Sequence, residues 1–339
     1  RESDGDHTGA IDIDAAGDIS FVSGAGTNAY AQLGVGGRDV NGNLAGAITI
    51  DTTGGLIVDA SNGGTDAFAQ IGTGGLASDG NISGGITANI DGNIVLTGGS
   101  NTRTAAQIGL GGISQDGTKD GGVTINNTDA TATLTMNGGS GDSSYTQIGT
   151  GGGQNATGAI TNGATSVTAN GGTVMNAGTG TDSYVQIGAG GNNYNTNGAA
   201  LDAATTLNTN LGLTLNAALA AADSYAQVGA GGRNVDAAIL GATNVAAAAG
   251  NVILTSGANA NNYSQIGAGG SDSDGEKTSA TTVTAGAITM TAGAGQSAYT
   301  QIGAGGDEAT GNITGAVDVT ANTGGISLTS GTGDDAYSQ

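Results

Sequence analysis

The chain has 339 residues, a formal net charge of −22, 69 glycines, and neither proline nor cysteine. The lack of cysteine excludes a disulfide framework, and the six basic residues (Arg1, Arg38, Arg103, Lys119, Arg233, Lys277) are too scattered for a phosphate-tracking stripe, which argues against nucleic acid. A single histidine, His7, excludes a histidine metal cluster, and no apolar run approaches the ~20 residues of a membrane-spanning helix.

Leu, Ile, Val and Phe supply only about a sixth of the chain, which together with the charge resembles a disordered segment. Disorder needs no apolar period, however, and this chain has one. The motif Tyr-x-Gln-Ile-Gly-x-Gly-Gly begins at Tyr30 and returns at Phe68, Ala105, Tyr145, Tyr184, Tyr225, Tyr263 and Tyr299, and a ninth copy opens at Tyr337. Spacings of 36 to 41 residues mark a solenoid or an array. Residues 1–339 therefore read as one repetitive segment of eight repeats with partial ends. Arg1 matches the residue after Gly-Gly in other copies and Gln339 falls inside the motif, so an excerpt of a longer chain is expected.

Each repeat holds three strand candidates. Strand A is apolar at alternate positions, as in Ile11 and Ile13, Ile48 and Ile50, or Val317 and Val319, the pattern of a half-buried strand. Strand B follows a short turn. Its inward series runs Ile19, Leu56, Ile94, Leu134, Thr173, Leu213, Val252, Ile288, Ile326, and the residue three further on is mostly Thr or Asn on the opposite face. Strand C is the motif itself. Two residues before its Tyr stands a small polar residue in most copies, such as Asn28, Asp66, Asp182 or Asn261, which reads as a turn former. The Gly-x-Gly-Gly segments read as turns: no Lys-Ser/Thr follows, as a phosphate-binding loop would require. A loop of variable length is expected to bulge outward after them. The alanine-rich stretch at 199–249 keeps the repeat spacing and reads as corner or loop.

Three strands matched every 38 residues or so predict an all-β parallel β-helix (β-solenoid), preferably with one coil per repeat; two shorter coils per repeat is the alternative. A β-propeller shares the period but wants four strands per blade and bulky aromatics. Here eight of ten aromatics occupy one repeat position.

Stacking then builds a ring column of Tyr30, Phe68, Tyr145, Tyr184, Tyr225, Tyr263, Tyr299 and Tyr337, interrupted at Ala105. Beside it runs an amide column of Gln32, Gln70, Gln107, Gln147, Gln186, Gln227, Gln265, Gln301 and Gln339. Stacked rings pack offset and stacked amides bond along the axis. If Ile71 and its equivalents point inward, alternation puts Tyr and Gln on the surface or under the long loop. The column locks the register of the coils or, as the sharper alternative, forms a lateral contact stripe. No catalytic set stands out, and an enzyme is not expected. Asp272, Asp274 and Glu276 resemble part of a calcium loop but lack its twelve-residue pattern, so they read as a solvated acidic loop with calcium as the one cofactor left open.

Units such as Gly311–Gln339 and Ile48–Gly75 resemble the repeats of filamentous-haemagglutinin-like bacterial exoproteins and giant adhesins. The resemblance implies a right-handed β-helix secreted to the bacterial cell surface, serving as stalk, matrix fibre or adhesin. Expected partners are other copies, head to tail or laterally; carbohydrate or another cell is the alternative.

Overall fold

The computed structural model describes residues 4–127, 129–247 and 249–339 of the chain. Strands dominate, and no helix occurs among the described residues. The chain winds as a parallel β-solenoid with one coil per repeat. In the second coil, a two-residue strand Leu44–Ala45 leads to strand A (Ile48–Thr52), strand B (Leu56–Asp59) and strand C (Phe68–Ile71). Each of the four positions stacks into its own nine-stranded sheet. Pairing is parallel and in register, so that Ile50 faces Ala88, Leu96 faces Met136, and Gln70 faces Gln107. Nine rungs at ~4.8 Å make a rod about 40 Å long.

Alternation explains the walls. Strands A and B bury every second residue, as in the buried-intermediate pattern of Ile48–Thr52. Their inward side chains, with those of Ala69, Ile71 and their equivalents on strand C, form one continuous core that includes Ile50, Leu56, Leu96, Ile125, Met136 and Ile148. Each fully buried aliphatic side chain contributes roughly 1.5–3 kcal/mol. The same small unit repeated nine times thus accumulates a core that no single coil could supply.

Two expectations are corrected. Each repeat has four strand positions, not three, because the loop after Gly-x-Gly-Gly does not bulge away. It returns as the short strand and carries Leu44, Ile82, Ile160, Leu201 and Ile239 into the interior. They meet the variable residue of Gly-x-Gly-Gly (Leu110, Ala189, Ala230, Ala268) in a second apolar layer. The Gly-x-Gly-Gly segments are not plain turns either. Gly36–Arg38, Gly74–Leu76 and Gly111–Ile113 pair as a three-stranded parallel sheet, and single parallel bridges from Gly111 to Gly305 continue it. The alanine-rich stretch holds strands Asn195–Asp202 and Asp236–Leu240, with one register shift between Asn195 and Ala200, and residues 217–222 form the corner before strand C.

The corners also have a simple cause. The residue two before each motif Tyr adopts a left-handed backbone: φ is 58° at Asn28, 60° at Asp66, 57° at Asp182 and 56° at Asn261. Asn, Asp and Ser tolerate that region better than other non-glycine residues, and this matches the turn-forming role read from the sequence.

Candidate functional site

The motif column is the feature that every coil shares, and strand C is buried on both faces. Phe68–Ile71 and its equivalents through Tyr299–Ile302 have no exposed position. Tyr145, Tyr184, Tyr225, Tyr263 and Tyr299 are buried, whereas Tyr30 at the end of the column is 49% exposed. Neighbouring rings lie 4.7–5.0 Å apart and within 5° of parallel. The rung spacing therefore dictates the stack, and the column is an internal seam. It offers no lateral contact stripe, which corrects that reading.

In several coils the last glycine of the motif comes back against the ring of its own coil. A Cβ on Gly191 would stand 2.8 Å from the Tyr184 hydroxyl, and one on Gly270 2.6 Å from that of Tyr263. Burial raises all five phenols well above their ordinary range, and at Tyr184, Tyr225, Tyr263 and Tyr299 an adjacent phenol adds to the effect.

The Gln column does something other than amide-to-amide stacking. Only Gln32 to Gln70 (3.3 Å) and Gln107 to Gln147 (3.4 Å) bond in that way. The recurring arrangement is a clamp on the next coil: the Gln147 amide donates to the carbonyls of Gly188 and Gly190, both at 3.1 Å. Gln70 grips Gly109 and Gly111, Gln186 grips Gly229 and Gly231, and Gln265 grips Gly303 and Gly305 in the same way. The glycines make this possible. Gly188 and Gly190 have φ of +137° and +110°, which turns their carbonyls toward the Gln amide and leaves no space for a side chain. Tyr, Gln and Gly-x-Gly-Gly are thus parts of one axial lock. Gln301 bonds instead to Ala304 of its own coil at 3.0 Å. Replacing Gln186 with Leu keeps the volume but leaves the Gly229 and Gly231 carbonyls without their amide donor. A loss of about 2–3 kcal/mol in unfolding free energy is expected by denaturant titration.

The gap at Ala105 is filled from elsewhere. Ile113 and Leu76, which follow the Gly-Gly of their coils, join Phe68 and Tyr145 in one apolar cluster. That position holds Arg38, Gly153, Asn192, Arg233, Ser271 or Asp307 wherever the motif begins with Tyr. At Ala105 a large Ile113 thus stands where the ring is missing, and where the motif begins with Tyr no large aliphatic residue follows the Gly-Gly, although Phe68 and Leu76 are both large. Ala105→Tyr alone should overpack against Ile113 and cost about 1–3 kcal/mol. Combined with Ile113→Ser it should recover most of that loss, a coupling that a double-mutant cycle of unfolding free energies reads directly.

Two charged features escaped sequence reasoning. Lys119 and Lys277 lie in the interior column of the short strands, in register with Ile82, Ile160, Ile239 and Ile313. Lys119 donates to the carbonyls of Gln115, Gly117 and Thr157, which takes up all three ammonium donors, and its ammonium lies 5.3 Å from the centre of the Tyr194 ring. Lys277 repeats the cage with Ser273, Gly275 and Thr310. Burial pushes Lys119 down to about 7, against the pull of Asp116. The available signal was the shared Asp-Gly-x-Lys at 116–119 and 274–277, which matches Asp-Gly-Asn-Ile at 79–82.

The described arginines, in turn, share one ridge along the left-handed corners. Arg38 pairs with Asp39 at 3.1 Å, Arg103 with Asp66, and Arg233 with Asp182 at 2.6 Å and Asp223 at 3.0 Å. Asp272 stands on that ridge, 3.8 Å from Arg233, with its backbone left-handed at φ 52°. Asp274 accepts the Thr310 hydroxyl, and Glu276 precedes the caged Lys277. Among the described residues, no group of three or more His, Cys, Asp or Glu side chains is placed to hold a metal ion. No described helix is long and apolar enough to cross a membrane.

No protein-family model matches the chain, and no curated protein or solved structure is significantly similar to it.

Proposed function

We propose that the chain is a structural module of an extracellular or bacterial cell-surface fibre or stalk, stiffened by coil stacking. The observation that carries this reading is the axial lock. Along most of the rod each coil grips the next through a buried amide clamp and, except around Ala105, a stacked ring, in addition to four backbone ladders. Such a body resists both bending and sliding of register, because either motion breaks buried bonds in several walls at once. Mechanical continuity along one axis is what a stalk needs, and it requires no cleft. The extracellular setting rests on the resemblance of the repeats to those of secreted exoproteins, and the acidic surface suits a solvated, non-aggregating rod.

Negative-stain electron microscopy of the purified chain tests the reading. Straight rods are expected, or filaments one solenoid wide where end coils pair with other copies, and their form should not change when calcium is added or chelated. Flexible or irregular particles would overturn it.

A further inference from the structure

We propose that the outward face of strand B is a docking surface for a second copy of this chain, packed face to face about a two-fold axis. Strand B stacks as an in-register nine-stranded parallel sheet running from Ile19–Val22 to Ile326–Thr329. Its inward residues belong to the core. From the second to the seventh coil its central outward column carries Ile57, Val95, Thr135, Val174, Thr214 and Ile253, with Ser20, Thr289 and Ser327 in the end coils, and Ile57, Val174 and Ile253 are each more than one-third exposed. The adjacent outward column is a ladder of threonine and asparagine, in which Asn176 donates to Asn137 at 2.9 Å and Asn216 to Asn176 at 3.2 Å.

Low charge combined with exposed apolar side chains singles this face out. In a chain of net charge −22, Asp59 is the one charged residue among the outward positions of strand B. The outward face of strand A, by contrast, carries Asp12, Asp14, Asp51 and Asp318 in its end coils and polar side chains such as Thr87, Thr124 and Thr282 between them, and the ridge beyond strand C carries the arginine-paired carboxylates described above. Two like-charged copies approach best where carboxylates are few, and of the faces low in charge strand B is the one that also exposes apolar side chains, Ile57, Val174 and Ile253.

The size also fits. Nine strands at ~4.8 Å and four residues at ~3.3 Å give about 560 Å² on each copy, or about 1,100 Å² in total, close to the ~1,000 Å² that a specific interface needs. In-register sheets with β-branched faces pack about 10 Å apart with interdigitated side chains. A two-fold arrangement buries the column of each copy against that of the other and closes the pair.

The inference deepens the fibre reading, because lateral pairing would double the rod, but the two are tested separately. Sedimentation equilibrium of the intact chain should show a monomer–dimer equilibrium that strengthens at least tenfold between about 0.05 and 0.5 M sodium chloride, as screening relieves the repulsion. Val174→Glu with Ile253→Glu should weaken the dimer by more than tenfold without altering the circular dichroism spectrum. Thr124→Glu with Thr282→Glu, the same charge change on the outward face of strand A, should leave dimerisation within about threefold of the parent. A monomer at all salt concentrations would overturn the proposal. So would a dimer weakened equally by both pairs of substitutions, or by neither. Micrographs with rods one solenoid wide alongside a monomeric sedimentation profile would leave the fibre reading standing and remove this one.

Discussion

Gly188→Ala should destabilise the rod by more than about 4 kcal/mol, enough to abolish soluble expression or to lower the unfolding midpoint steeply. Three costs combine. The backbone at Gly188 has φ +137°, a region that side chains disfavour strongly. A Cβ there would stand 2.1 Å from the Gly229 carbonyl oxygen of the next coil, well inside contact distance. Any shift that relieved the clash would also pull the Gly188 carbonyl from the Gln147 amide, 3.1 Å away, and so break the clamp to the preceding coil. Gly172→Ala is the control. Its Cβ would meet only the Gly212 carbonyl oxygen, at an ordinary 3.8 Å, and the backbone there is not left-handed. That change should stay within about 0.5 kcal/mol of the parent in the same thermal or denaturant melt.

The contrast between these two glycines shows where sequence reasoning reached and where it stopped. The period, the in-register strands and the inward series at Leu56, Ile94 and Leu134 were legible because side-chain alternation repeats them in every coil. The corner role of Asn28, Asp66 and Asp182 was legible because few residues accept a left-handed backbone. The burial of Tyr and Gln was not, because alternation tells only that they oppose Ile71 and is silent about what lies over them. The covering segment offers only a single apolar position per coil, such as Leu44, Ile82 or Ile160, too few to show an alternation. Most of its strands are two residues long, as at Leu44–Ala45 and Ile160–Thr161, and the loop before them varies in length. Lys119 and Lys277 were hidden for a related reason. A lysine in an apolar column looks like surface until three backbone carbonyls are seen around it. The arginine ridge depends on residues as far apart as Asp182 and Arg233, which only the stacking brings together.

A second large effect is expected at high pH. Tyr145, Tyr184, Tyr225, Tyr263 and Tyr299 are held protonated by burial in the folded rod, whereas in the unfolded chain a phenol ionises near pH 10. A raised folded pKa means that the stability contribution is fully present below about pH 10 and is lost as pH rises, since the unfolded chain releases protons that the folded rod retains. With five such groups the slope approaches about 7 kcal/mol per pH unit once the unfolded phenols are ionised. A cooperative alkaline collapse should follow within a narrow range.

Recording phenolate absorbance and far-ultraviolet circular dichroism together in one alkaline titration tests the claim that the motif column is an internal lock. The buried-column account predicts that most of the phenolate signal appears only as the β spectrum disappears, in a single transition above pH 10. Ionisation of most tyrosines near pH 10 with the β spectrum intact would place the rings in solvent and contradict it.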